Sequence, residues 1–93
     1  MLSFEWNSQK AFSNEQKHGI SFDEASTVFG DTLSLTLHDP LHSENEDRFV
    51  VIGRSHKNRI LTVVHTERGD ILRIISARKA TKNERLQYES HAE

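Results

Sequence analysis

The chain contains no cysteine among its 93 residues, which excludes disulfides and thiolate metal sites and leaves the redox compartment open. With one proline and four glycines it has too little of either for a flexible linker or a low-complexity tail. No stretch of about 18 apolar residues occurs, and "MLSFEWNSQK" lacks the basic flank and apolar run of a leader. A soluble cytoplasmic protein that does not touch membrane is therefore expected.

Cations are scarce in one half only. Residues 1–47 hold two Lys/Arg, Lys10 and Lys17, against nine Asp/Glu, a net of −7; residues 48–93 hold ten against five, a net of +5. Such polarity fits either an anion-binding half beside an acidic half that meets a basic partner, or two halves that attract each other within one fold. At 34% hydrophobic and 28% charged, residues 1–93 form one ordinary globular domain with a single core.

Local signals set the elements. "SFEW" opens as a short strand, and Asn7 caps a helix over residues 7–18 that Gly19 ends in a left-handed conformation. Ser21 and Glu24 have capping-box spacing, and Ile20 with Ala25 forms a staple across the start of a second, short helix. "LSLTLH" alternates Leu33, Leu35 and Leu37 with polar residues, the pattern of a strand with one buried face, and "DPLHSENED" stops it. "RFVVIGRS", "RILTVVHT" and "DILRIISAR" follow as an antiparallel meander joined by "HKN" and "ERG" turns. Thr81 and Glu84 repeat the capping-box spacing at the head of a last helix. The order is β-α-α-β-β-β-β-α, an α+β arrangement.

Two-residue turns at Lys57-Asn58 and Arg68-Gly69 would align Arg54, Leu61 and Ser76 in one row. Arg78 would then emerge on the face of Arg54, and Arg73 on the other face opposite Val64. A three-residue loop at residues 56–58 would instead shift the register by one.

Arg78-Lys79 at a strand end, just before Thr81, suits a phosphate, although it equally suits a solvated strand terminus. Lys17-His18 offers proton transfer and charge stabilisation; the same pair also fits the negative end of a helix. Gly53 before Arg54 marks a bulge or a close approach. Trp6 and Tyr88 offer stacking surfaces or core packing, and His65 reads as a packed histidine. His38, Asp39 and His42 match no structural zinc spacing, so neither metal nor cofactor is expected. No Walker loop, G-x-S-x-G, G-x-G-x-x-G or convincing carboxylate pair occurs. By residues alone, the chain reads as a small domain that binds an anionic polymer.

Three runs carry a more specific likeness: N-x-x-K-H-G over residues 14–19, E-x-R-F-x-x-I-G-x-S over residues 46–55, and I-S-A-R-K-A-T-x-x-E-R over residues 75–85. In these the chain resembles the BrnT family, toxins of type II toxin–antitoxin pairs with a RelE-like ribonuclease fold. The resemblance implies an antiparallel sheet with two N-terminal helices and one C-terminal helix. It also implies a metal-independent endoribonuclease that blocks translation and forms a hetero-oligomer with a BrnA-like antitoxin, which supplies most contacts to operator DNA. On matching positions it implies Lys17 and His18 for proton transfer or its electrostatic support, Arg54, Arg78 and Lys79 for phosphate, and Arg73 in reserve. The competing expectation is a non-catalytic module that binds nucleic acid or a partner.

Overall fold

The computed structural model describes residues 2–40 and 46–92. Its elements are β1 (Ser3–Glu5), α1 (Ser8–His18), α2 (Phe22–Ser26) with a 3₁₀ turn (Thr27–Gly30), β2 (Leu35–Asp39), β3 (Arg48–Arg54), β4 (Ile60–Arg68), β5 (Ile71–Lys79) and α3 (Lys82–Ala92). This is the expected α+β order. The sheet runs β1-β5-β4-β3-β2. Strands β2 to β5 are antiparallel, while β1 joins the edge parallel to β5, pairing Phe4 with Leu72, so the sheet is mixed.

Each helix begins where its cap dictates. The Asn7 side chain accepts from Lys10 N, and Gly19 takes φ 71°, the left-handed value that releases the chain from α1. Ser21 Oγ accepts from Glu24 N at 3.0 Å. The Glu24 carboxylate does not complete that box. It is buried, and it accepts from Ser55 Oγ at 2.7 Å, from Arg59 Nε at 2.9 Å and from Arg59 Nη2. At Thr81 both halves form: Thr81 N donates to Glu84 Oε1 and Glu84 N to Thr81 Oγ1.

One sheet face carries Val51, Leu61, Val63, Ile74 and Ala77 and buries them against Ile20, Phe22, Ala25 and Val28. Burial of each large apolar side chain of this layer contributes about 1.5–3 kcal/mol before the cost of ordering it. Trp6 joins this layer edge-on to Phe22, 6.0 Å between centroids. Gly53 lies here too, and a Cβ in its place would meet Ser34 Cβ at 3.1 Å and Val28 Cβ at 3.2 Å, the close approach its position in a strand suggests. On the opposite face Ile52, Ala80 and Tyr88 form a smaller cluster under α3, with Leu35 and Ile60 beside it. The leucine alternation of β2 buries less than its pattern predicts. The strand starts only at Leu35, and Leu37 is 43% exposed because β2 is an edge strand beyond the cover of α3.

Register departs from the two-residue-turn expectation in both hairpins. Ser55 N donates to Arg59 O, and residues 56–58 form a three-residue loop with Asn58 at φ 63°, so Arg54 pairs with Ile60. The next turn is Gly69-Asp70, with Gly69 at φ 61°, so Arg68 pairs with Ile71. Between Val64 and His65 the ladder slips, leaving Ile75 as an extra residue of β5. The two odd displacements cancel between β3 and β5: Arg78 lies in the row of Thr62 and Ile52, and Arg54 follows one row on, on the same face. The expectation for Arg73 is reversed as well: it pairs with Thr66, and the three-residue loop brings it to the face of Arg54 while the bulge brings it to that of Arg78.

Much of the charge polarity is spent internally. Arg59 meets Glu24, Arg68 meets Glu46 and Glu5, and Arg73 meets Glu5, each pair joining the basic half to the acidic one. Among the described residues no helix is long and apolar enough to cross a membrane.

Candidate active site

A cleft of about 500 Å³ opens between α1 and the bulged part of β5, and Lys17, His18, Asn14, Ile75 and Ser76 line it. Helix α1 is fixed to the strand by Asn14, which is buried. Its Nδ2 donates to Ala77 O at 2.8 Å and to Ile20 O at 3.0 Å, and its Oδ1 accepts from Ala77 N at 3.1 Å. Three bonds from one amide therefore set the height of the last turn of α1 over β5. Lys17 and His18 follow within that turn and stand over the cleft. Among the described residues neither has an ion-pair or side-chain hydrogen-bond partner, so both remain available to a ligand.

Arg78 and Lys79 are neighbours in sequence but lie on opposite faces, as alternation along β5 requires. Lys79 is exposed on the side of α1 and α2. Arg78 shares the other face with Ser76, so it rises one pleat, roughly 7 Å, from the floor of the cleft. Its guanidinium is gripped by Glu84, Nη1 to Oε1 at 2.7 Å and Nη2 to Oε2 at 2.9 Å. Glu84 also accepts from Thr62 Oγ1 and from Thr81 N. The Arg78 bond, opposed by burial and helped by the Thr81 and Thr62 bonds, holds the Glu84 carboxyl down at about 2. The same bond raises the Arg78 pKa.

Arg54 sits two strands away from Arg78 on the same face. Its backbone N donates to Asp31 Oδ2, its Nη1 donates to Asn58 Oδ1, and its guanidinium carbon lies 6.0 Å from the centre of the Tyr88 ring. Tyr88 donates its hydroxyl to Asp31 Oδ2 at 2.7 Å. Burial pushes Asp31 up, yet the bonds from Tyr88, Arg54 N and Leu33 N leave its carboxyl below the usual range. Glu84 and Tyr88, one turn apart on α3, thus hold the two arginines. Arg73 reaches Glu5 at 3.4 Å.

The histidines outside the cleft have other surroundings. His65 is fully buried between Phe29 and Phe49, and burial lowers its pKa despite its bond to Glu67. His38 contacts Asp47 at 3.1 Å, and His42 lies outside the described residues. Among the described residues no three His, Asp or Glu gather as metal ligands. Trp6 and Tyr88 are engaged in packing rather than open for stacking.

Three residues of this region have roles that only the fold reveals. Asn14 opens the N-x-x-K-H-G run, but its bond acts across 63 positions. Glu84 has cap spacing, and its grip on Arg78, six residues earlier, adds a second role. Lys10 also lines the cleft, and its spacing of seven from Lys17, two turns of one helix face, was the signal available.

The family model described as "ribonuclease toxin, BrnT, of type II toxin-antitoxin system" matches residues 6–84. No curated protein matches. The crystal structure of the Brucella abortus ribonuclease toxin, BrnT, superposes with a TM-score of 0.63 at 22% identity, covering 88% of this chain and 100% of that one, a likeness of fold.

Proposed function

The chain belongs to the BrnT family of ribonuclease toxins of type II toxin–antitoxin systems, and from that premise we propose that it cuts RNA without a metal, at the cleft between α1 and β5. The observation that carries this reading is the pair Lys17 and His18, held over the cleft by Asn14 and without an ion-pair or side-chain hydrogen-bond partner among the described residues. Metal-free cleavage of this kind is a transesterification that begins when the ribose 2′-oxygen attacks the adjacent phosphorus. A base takes the 2′-OH proton, the P–O5′ bond breaks, and an acid returns a proton to O5′, leaving a 2′,3′-cyclic phosphate. Lys17 and His18 supply these transfers or their electrostatic support. Negative charge grows on the phosphoryl oxygens meanwhile, and cations must meet it.

Arg78, one pleat from the cleft floor on the face of Ser76, takes that role, with Arg54 on the same face and Lys79 on the other receiving flanking phosphates of the RNA. Arg73 stays in reserve. A BrnA-like antitoxin neutralises the toxin in a hetero-oligomer, carries most of the operator DNA contact, and leaves a cytoplasmic toxin to block translation when it is lost.

The test is cleavage of RNA by purified protein in EDTA. Wild type yields 2′,3′-cyclic ends, and His18→Ala yields about 100-fold less product at an unchanged unfolding midpoint. Cleavage that requires added metal would overturn the mechanism. RNA binding with no product at long incubation would favour a non-catalytic module.

A further inference from the structure

The cleft is longer than the pair that marks its catalytic end. Beyond Lys17 and His18 its wall runs along α1 through Ser13 and Lys10 to Gln9 and Asn7. Two features of this outer wall point to one class of ligand. All ionisable groups that line the cleft are basic: Lys10, Lys17 and His18. Residues 1–47 hold nine carboxylates and only two Lys/Arg, yet both lysines line this one cavity and, among the described residues, no carboxylate does. Neither Lys10 nor Lys17 has an ion-pair partner among the described residues. The rest of the lining is uncharged: Ile75 and the committed Asn14 amide, with the Gln9 amide, the Ser13 and Ser76 hydroxyls and the Nδ2 of Asn7, whose Oδ1 caps α1, as groups able to bond base edges.

Spacing adds direction. Lys10 and Lys17 are seven residues apart, about 10 Å along the helix, which lets their ammonium groups meet neighbouring phosphates of one strand rather than a single phosphate. The cavity, about 500 Å³, falls within the range that holds a small ligand such as a nucleotide.

We propose that the Lys10 end of the cleft is a single-stranded RNA subsite, in which Lys10 holds a backbone phosphate next to the scissile one and the Asn7, Gln9 and Ser13 side chains read the adjoining base. This rests on the ribonuclease reading of the Lys17–His18 end and assigns Lys10 to substrate binding, not to proton transfer. The RNA lies along α1, with one phosphate for each lysine.

The experiment compares wild type with Lys10→Gln by two measurements. The first is binding of a short single-stranded 2′-O-methyl RNA, which cannot be cut, across a salt series by fluorescence anisotropy. The second is steady-state cleavage of the corresponding RNA. Lys10→Gln is expected to weaken binding about five- to tenfold, to flatten the slope of log K against log salt by about 0.7, the share of one phosphate, and to raise KM by the same factor with kcat within twofold. Lys10 is exposed, so the unfolding midpoint stays in place. Unchanged binding and salt slope would overturn the subsite, as would a fall in kcat at constant KM. So would binding of poly-glutamate as tight as that of the RNA and equally sensitive to Lys10→Gln, which would assign the cleft to an acidic peptide. A wild type that binds RNA through Lys10 but never cuts it would sink the ribonuclease reading while leaving the subsite standing.

Discussion

The two cationic regions of the molecule differ in how far their charges are already committed. Along α1, Lys10, Lys17 and His18 line a cleft that no carboxylate of the described residues lines, while at the junction of β5 with α3 Arg78 is clasped on both nitrogens by Glu84. A cation in the second situation also supports the fold, and its paired acid offsets part of the field it brings to a ligand; one in the first has no ion-pair partner among the described residues. Net charge by itself would rank the regions the other way, because the basic half of the chain holds Arg78. What separates them is the placement of acids: Glu5, Glu24, Glu46 and Glu84 lie beside Arg73, Arg59, Arg68 and Arg78, and none lines the cleft.

The sharpest break of this contrast is Lys17→Ala. It is expected to slow single-turnover RNA cleavage by about 100- to 1,000-fold, with an unfolding midpoint like that of wild type, since the side chain holds no other part of the protein. An unaffected rate would mean that the uncommitted cations are not the reacting ones.

The committed pair should answer in stability first. Glu84 has a folded pKa of about 2 against an ordinary 4.5, so its contribution is fully present above about pH 4.5 and disappears as pH falls towards 2. Glu84→Gln is expected to cost about 1–2 kcal/mol at neutral pH, discounted because the Arg78 side chain is 41% exposed, and to flatten stability between pH 4.5 and 2 in urea titrations. Arg78→Ala should match that loss and slow cleavage about tenfold; equal acid sensitivity in wild type and Glu84→Gln would show that the clasp is idle. The smallest expected effect is that of Arg54→Gln, which removes an exposed contact with the Tyr88 ring and should change stability by less than about 1 kcal/mol, measured by thermal unfolding.

Elements set by neighbouring residues were legible in the sequence. The Asn7, Ser21 and Thr81 caps and the Gly19 stop lie where spacing puts them, because each acts over a few residues. Register was not, because it depends on loop lengths that "HKN" and "ERG" leave open and on one extra residue, Ile75, inside an apolar run that looks uniform. Arg73 changed face through the loop at residues 56–58, relative to Arg54, and through the extra residue, relative to Arg78. Glu24 shows the same limit at a single side chain: its cap spacing was visible, whereas the pull of Ser55 and Arg59, 31 and 35 residues on, was not. For the candidate site, Lys17 and His18 could be named from their motif, but that Asn14 of the same motif sets their height over Ser76 required the fold.

Asn14 has one more consequence. Among the described residues, the outer edge of β5 has no neighbouring strand beyond the three residues of β1, and a bare edge is a template on which another chain can add a strand. By pairing with both the N–H and the C=O of Ala77, the Asn14 amide behaves as a one-residue strand and closes the ladder at that point. Two copies of this protein therefore cannot zip together along β5 without first withdrawing that amide, and a chain that did so would have to break the contact that holds α1 in place.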